Sequence, residues 1–195
     1  MDWLSDLVLT AFGRHRAPVI QCPELAQDEQ AFMGLVPNRK GQPLLIDWQV
    51  AVWNGGVWTL HPFPDFVART KLKANTLANR NQDINTAALQ TSLPGAVAVM
   101  QRHMITLQQS FSAEMTQRLS GTLADLARLQ EKQIEQLELR LAANQQAEQF
   151  KKSRREKHTQ QIGKVFDEYR RWVQDTMTTE PQPFIQVLCA AMRYS

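Results

Sequence analysis

The segment that decides the fold runs from Val97 to Leu141 and reads VAVMQRHMITLQQSFSAEMTQRLSGTLADLARLQEKQIEQLELRL. Apolar residues recur along it with a mean spacing of about 3.67 residues, which is close to the period of a straight α-helix. The pattern predicts one long helix that begins near Pro94, because proline is tolerated in a first helical turn. Its apolar line comprises Val97, Met100, Met104, Leu107, Phe111, Met115, Leu119, Leu123, Leu126, Leu129, Ile134, Leu137 and Leu141.

An apolar line of this length needs a partner to cover it. Residues 145–179 provide a second helical pattern, so we predict an antiparallel hairpin with a break near Ala142-Ala143-Asn144. A single unbroken helix that pairs with another chain is the alternative. We expect the three methionines of the first helix, Met100, Met104 and Met115, to pack inside the hairpin. The apolar positions of the second helix are Phe150, Ile162, Val165, Phe166, Tyr169, Trp172, Val173 and Met177.

Short apolar runs bounded by turn residues precede the hairpin and are typical of strands. They cover residues 19–22, 31–36, 44–53 and 57–60. We expect His61-Pro62-Phe63-Pro64 to break the sheet and Asp65 to cap a short helix. Helical spacing also predicts an N-terminal helix from Asp2 to Phe12. Three tryptophans in the strands are expected to fill the core rather than form an exposed stacking platform, namely Trp48, Trp53 and Trp58.

The prolines of Glu180-Pro181-Gln182-Pro183 are expected to stop the second helix. The apolar run that follows, residues 184–192, predicts a strand that returns to the sheet. The sequence therefore predicts an α+β fold: a small β-rich head of three to five mostly antiparallel strands, with a long antiparallel helical hairpin. The predicted domains are the head with its N-terminal helix, the hairpin and the closing strand, at residues 1–93, 94–180 and 181–195.

Composition predicts a folded protein, since 43% of the 195 residues are hydrophobic and 21% are charged. The net charge of +3 would suit an anionic partner without requiring one. Cys22 and Cys189 match no disulfide or metal framework, so we expect reduced, buried thiols. The acidic N-terminus and the lack of an apolar run of about 20 residues predict a cytoplasmic protein with no membrane partner.

The sequence contains none of the common catalytic motifs. It has no phosphate-binding loop, no dinucleotide fingerprint, no His-Glu-x-x-His and no serine nucleophile elbow. The four histidines stand in unrelated contexts, so we expect no metal and no cofactor. These observations predict that the chain by itself is not an enzyme. The histidines are His15, His61, His103 and His158.

The densest basic cluster is the run Lys151-Lys152-Ser153-Arg154-Arg155-Glu156-Lys157-His158. Near the tip of a hairpin, these cations would meet a phosphate backbone or an acidic protein surface. A solvated helix face that prevents self-association is an equally weighted alternative. The residues that we name as candidate contacts for nucleic acid or a partner are Lys151, Lys152, Arg154, Arg155, Lys157, Arg39 and Lys40.

Three stretches of the chain occur in a characteristic order. They are Asp2-Trp3-Leu4-Ser5-Asp6-Leu7-Val8-Leu9 with Phe12-Gly13-Arg14, then Asn38-Arg39-Lys40-Gly41-Gln42-Pro43, and last Phe184-Ile185-Gln186-Val187. Together they resemble the region that follows the motor in bacterial Swi/Snf-type superfamily 2 helicases. That family includes RapA-like RNA polymerase recycling ATPases and helicases of phage-defence islands.

The resemblance implies a non-catalytic accessory module that docks on a helicase motor, on RNA polymerase or on DNA. The ATP and nucleic-acid motifs of the motor do not occur in this sequence, so no catalytic residue carries over. The chain is then expected to be a separately encoded subunit or a remnant of a larger helicase. Two alternatives stay open: a free-standing nucleic-acid binder that uses the basic hairpin tip, and a self-associating structural coiled-coil protein.

Overall fold

The computed structural model describes residues 17–71, 84–143 and 148–193. The predicted N-terminal helix, Asp2 to Phe12, lies outside this part. The α+β fold class is confirmed. The described elements are β1 Val19–Cys22, β2 Glu29–Pro37, β3 Pro43–Asn54, β4 Val57–Pro62, α1 Phe63–Thr70, α2 Ala87–Ala142, α3 Glu148–Met177 and β5 Phe184–Arg193.

The chain divides into two compact units. Of the described residues, one unit takes in those up to Pro37, residues 43–109 and those from Pro181 onward. The other unit takes in Asn38–Gln42 and Ser110–Glu180. The first unit therefore contains the sheet and the start of α2, and we call it the sheet unit. The second contains the rest of α2, all of α3 and the turn that joins β2 to β3, and we call it the helical unit.

Five strands form one sheet in the order β1-β5-β2-β3-β4. Among the described strands, β1 and β5 are parallel, and the other three pairs are antiparallel. Each predicted strand is present, and the predicted closing strand pairs with both β1 and β2. Strand β5 therefore lies between β1 and β2 in the sheet.

The sheet continues further than predicted at β4. His61 and Pro62 pair with Val50 and Gln49, and helix α1 follows directly at Phe63. The expectation that this segment breaks the sheet was wrong, because β4 is an edge strand, where a proline removes no inner ladder bond. Asp65 does not cap α1 either. Pro62 occupies the cap position without a side-chain hydrogen bond, and Asp65 lies in the first turn, where its charge faces the positive end of the helix.

The two faces of the sheet carry separate apolar clusters, because successive side chains of a strand point to opposite faces. On one face Met33 and Val50 pack with Phe66 of α1. On the other face Phe32, Val36 and Ala51 pack with Ala96, Met100 and Met104 of α2. Met100 and Met104 therefore cover the sheet, which corrects their predicted place inside the hairpin. Gly34 permits this close approach, since an added Cβ would overlap the Met104 side chain.

The tryptophans divide between core and surface. Trp48 packs against Phe63, with ring centroids 5.3 Å apart, and borders the cluster below α1. Trp58 borders the cluster below α2. Trp53 is 45% exposed, so the expectation that it fills the core was wrong. Its cross-strand contact is with Trp58.

Both cysteines are free and buried, as predicted. Burial raises the pKa of the Cys189 thiol to about 12. The pKa of the Cys22 thiol is also raised, first by burial and then by its hydrogen bond to the Glu24 carboxylate, 3.3 Å away. The same hydrogen bond lowers the pKa of Glu24. Both thiols are therefore protonated at neutral pH, which is the state of structural rather than nucleophilic cysteines.

Helix α2 begins at Ala87, seven residues before the predicted start at Pro94. Pro94 lies inside the helix, where it removes one backbone hydrogen bond. Local and tertiary contacts outweigh this loss. The Asn85 side chain accepts a hydrogen bond from the Ala87 amide at 3.0 Å, and the early turns bury Leu89. Ser92 also accepts a hydrogen bond from Gln30 of the sheet.

The helical unit contains two helices rather than one, because α2 ends at Ala142 and α3 begins at Glu148. Side-chain hydrogen bonds join them, from Arg155 to Glu138 and from Arg170 to Gln130. The later residue of α3, Arg170, therefore meets the earlier residue of α2, Gln130. This is the order expected for an antiparallel pair. Leu126 and Val173 are buried in this unit.

Candidate functional site

Helix α3 exposes a row of large apolar side chains. Val165, Tyr169 and Trp172 are 64%, 52% and 50% exposed. They are spaced at i, i+4 and i+7, so they lie on one face of the helix. We call these three residues the α3 row. Single exposed apolar residues are ordinary on protein surfaces, but an aligned group with two large aromatic rings indicates a contact surface.

The prediction placed all the apolar residues of α3 on one buried stripe, and that was wrong for four of them, Phe150 and the three residues of the α3 row. Ile162, Phe166, Val173 and Met177 are buried or half-buried. At about 100° per residue, their mean direction is about 80° away from that of the α3 row. One partner helix cannot cover both directions. Phe150, near the start of α3, is exposed at 73%.

The rings of the α3 row are ordered by contacts with each other and with a lysine. Tyr169 and Trp172 stack with centroids 5.6 Å apart and an interplanar angle of 28°. Lys40 Nζ lies 5.8 Å from the centre of the Trp172 ring, within the range of a cation–π contact. A half-exposed indole that is already oriented loses less conformational freedom when a partner covers it.

Asn38 holds Lys40 in this position. Its side chain is buried, and its Oδ1 accepts hydrogen bonds from the backbone amides of Lys40 and Gln42, both at 2.9 Å. Its Nδ2 donates to the Thr176 carbonyl at 3.1 Å and to Gln42 Oε1 at 3.0 Å. One asparagine therefore closes the turn and fixes it to the end of α3.

The turn makes two further connections to the residues after α3. The Arg39 amide donates to the Thr178 carbonyl at 3.3 Å, and Asn38 forms an isolated bridge with Thr179. Gly41 takes a φ of 77°, a conformation that favours glycine. These contacts give a physical reason for the asparagine and the glycine of the Asn-Arg-x-Gly-Gln turn.

The candidate basic residues fall at two separate places. Arg39 and Lys40 are exposed beside the C-terminal end of α3. Lys152, Arg154 and Lys157 are exposed near its N-terminal end, more than about 20 Å away along the helix. Lys151 is half-buried, and Arg155 is paired with Glu138. The structure therefore does not bring all seven residues into one site.

Charges of both signs border the α3 row. Lys164 and Arg171 are exposed on α3, and Lys40 lies over Trp172. Glu168 is exposed and Asp175 half-buried on the same side of the helix as these two cations. A phosphate backbone would be repelled by the two carboxylates, whereas the surface of a protein can match both signs.

Within the residues that the structure describes, no three histidine, cysteine, aspartate or glutamate side chains are grouped so as to hold a metal ion. Nor does any helix in this part have the length and apolar character needed to cross a bilayer.

Comparisons with protein-family models, with curated proteins and with solved structures found no match to this chain. The resemblance to Swi/Snf-type helicases therefore remains a prediction from the sequence.

Proposed function

We propose that this chain is a non-catalytic interaction module that docks on a protein partner through the α3 row. The partner that we favour is a helicase motor of the RapA-like class, as the sequence resemblance implies. The resemblance also names RNA polymerase as a partner, and the same surface would serve there. The α3 row carries the proposal, because packing within the described part of the helical unit leaves these aligned apolar side chains exposed.

The row is large enough to form the centre of a larger contact. Covering the exposed halves of Tyr169 and Trp172 would remove about 200 Å² of mostly apolar surface from water. At about 25 cal/mol per Å², this burial contributes about 5 kcal/mol before the costs of association. Aromatic side chains of this kind dominate binding energy at protein interfaces. We therefore expect Trp172 to be the centre of the contact.

The test measures binding of the purified chain to an immobilised RapA-like motor from the same genome. Trp172→Ala should weaken binding at least about tenfold, since truncation of a central interface tryptophan typically costs more than about 1.4 kcal/mol. The ring is half-exposed, so the variant should stay folded, which circular dichroism verifies.

Phe150→Ala is the matched control, because it removes an exposed aromatic ring from the same helix 22 residues earlier. It should leave the affinity for the motor within about twofold. The proposal is wrong if the unaltered chain binds neither the motor nor RNA polymerase. It is also wrong if Phe150→Ala and Trp172→Ala weaken binding equally.

A second candidate function is nucleic-acid binding by the basic residues near the start of α3. It is favoured by the exposure of Lys152, Arg154 and Lys157 on neighbouring turns. Neutral replacement of Lys151, Lys152, Arg154 and Arg155 should weaken duplex binding. It should also reduce the slope of log K against log salt by about 0.9 for each phosphate that the variant no longer neutralises. Salt-insensitive binding by the unaltered chain would exclude this function.

A further inference from the structure

The sheet unit contains a groove of about 420 Å³ between the first turns of α2 and the end of the sheet face that α2 covers. Its walls include Trp53 and Trp58 from the strands and Ser92 and Gly95 from the helix. Gly95 lets the indole approach α2, since an added Cβ would lie 2.5 Å from Trp58 Nε1. A groove of this volume suits a small organic group.

The strand register explains which side chains meet there. Gln30 of β2 is paired with Ala51 of β3, so both point to the same face. Trp53 follows Ala51 by two residues in β3, which places it on this face as well. Asp28, just before β2, is among the residues that line the groove. Trp58 joins them as the cross-strand partner of Trp53. The ring centroids of the two tryptophans are 5.2 Å apart at 57°.

Gln30 is the unusual residue of the groove, because it is polar and only 3% exposed. Its Nε2 donates to Ser92 Oγ at 2.8 Å, and Ser92 Oγ donates in turn to the Leu89 carbonyl at 3.0 Å. This chain of donors fixes the orientation of the amide. Gln30 Oε1 is buried and accepts no hydrogen bond from the residues that the structure describes. Gln30 is one of the lining residues, and because its Oε1 is closed to solvent, a ligand in the groove would reach this unsatisfied acceptor by displacing the side chains around it.

The remaining lining favours a ligand of positive charge. Asp28 is the charged side chain among the lining residues, and lysine, arginine and histidine are not among them. One Asp28 oxygen accepts the Arg193 amide at 2.9 Å, which holds the carboxylate in place. Tryptophan faces attract cations, and an ammonium group carries several hydrogen-bond donors.

We infer that this groove binds a protonated amine, which donates to Gln30 Oε1, is neutralised by Asp28 and lies against the faces of Trp53 and Trp58. The amine belongs either to a small molecule or to a lysine side chain of a peptide. This inference rests on the sheet unit alone and does not depend on docking through the α3 row.

The test uses ¹H–¹⁵N NMR of the full chain with three probes that share one ring: phenethylammonium, 2-phenylethanol and phenylacetate. Phenethylammonium should shift the amide and indole resonances of the groove with a dissociation constant of about 1 mM or below. The alcohol should bind at least about fivefold more weakly, and the acetate more weakly still. The capped peptide Ac-Gly-Gly-Lys-Gly-Gly-NH2 distinguishes the sources, since it should bind more tightly than phenethylammonium only if the amine is a lysine.

Two variants test the named contacts. Asp28→Asn should abolish the preference for the ammonium over the alcohol while keeping the acceptor for the Arg193 amide, and Asp125→Asn, at an exposed acid of α2, is its control. Gln30→Met should lower ammonium affinity at least about tenfold. Gln30→Met also removes the hydrogen bond to Ser92 Oγ, so its Tm should fall by a few degrees, and circular dichroism verifies that the variant is folded.

Three outcomes would overturn the inference. The first is that no groove resonance shifts with about 10 mM phenethylammonium. The second is equal affinity for the ammonium, the alcohol and the acetate. The third is that folded Gln30→Met binds the ammonium as tightly as the unaltered chain.

Discussion

Asn38 shows how much one side chain contributes to the candidate site. Its amide uses both its donor and its acceptor group, so no other residue type of that size reproduces the set of bonds. Removal of this amide would release Lys40 from Trp172 as well as destabilise the helical unit. Asn38 thus connects stability with the geometry of the proposed docking surface.

Asn38→Asp should lower the free energy of unfolding by about 2–4 kcal/mol at neutral pH. The carboxylate keeps both accepted bonds, but it lacks the two donors and places a buried charge beside the Thr176 carbonyl. Urea denaturation followed by circular dichroism measures the change. Arg39→Ala, at an exposed neighbour, should stay within about 0.5 kcal/mol of the unaltered chain. A smaller decrease for Asn38→Asp than for Arg39→Ala would contradict the role of this amide.

The sequence was informative about some residues and silent about others. The burial of the two thiols followed from their apolar neighbours. The Asn-Arg-x-Gly-Gln turn was recognisable in the sequence. The role of its asparagine was not, because the Thr176 carbonyl to which Asn38 donates lies 138 residues away. Gln30 gave no signal, since a glutamine at a strand start is ordinary until the register shows it beside two tryptophans. Residue types predict local chemistry, whereas contacts over long sequence distances need the fold.

Among the secondary-structure elements, the two long helices contain two glycines, Gly121 and Gly163, at positions whose conformation does not require glycine. An added Cβ at Gly121 or Gly163 would meet nothing within 4 Å, and neither residue has a positive φ. Glycine in a helix interior is unfavourable relative to alanine, because the unfolded chain has more backbone freedom to lose.

Gly121→Ala and Gly163→Ala should each raise the free energy of unfolding by about 1 kcal/mol, as measured by urea denaturation. Gly41→Ala is the matched control, because the same added methyl group meets a φ of 77° there and should destabilise by about 1 kcal/mol. If either helical substitution lowered stability, that glycine would mark a bend needed by the helix.

The apolar periodicity predicted both long helices. It did not predict where α2 begins or which apolar side chains of α3 are exposed. The early turns of α2 are stabilised by contacts with the sheet, which a pattern search that stops at Pro94 cannot detect. The α3 row did leave a signal in the sequence. Eight apolar positions on α3 span more of the helix circumference than one antiparallel partner covers, so part of them had to be exposed or bound elsewhere.

For the molecule as a whole, the order of the strands in the sheet could not be predicted from the sequence. Local runs predicted each strand, and the closing strand was expected to join the sheet. Its insertion between β1 and β2 depends on pairings between residues more than 140 positions apart, such as Leu35 with Phe184. The first and last strands are thus neighbours, and the chain between them forms the rest of the sheet and both long helices.

We propose that the α3 row is the surface through which the chain docks on a protein partner. Hydroxyl-radical footprinting with mass spectrometry, with and without the RapA-like motor, reads this surface directly, because aromatic side chains are oxidised in proportion to their exposure. We predict that the motor strongly reduces oxidation of Tyr169 and Trp172 and leaves that of Phe150 unchanged. Unchanged oxidation of Tyr169 and Trp172 in the complex, or protection at Phe150 instead, would contradict the claim.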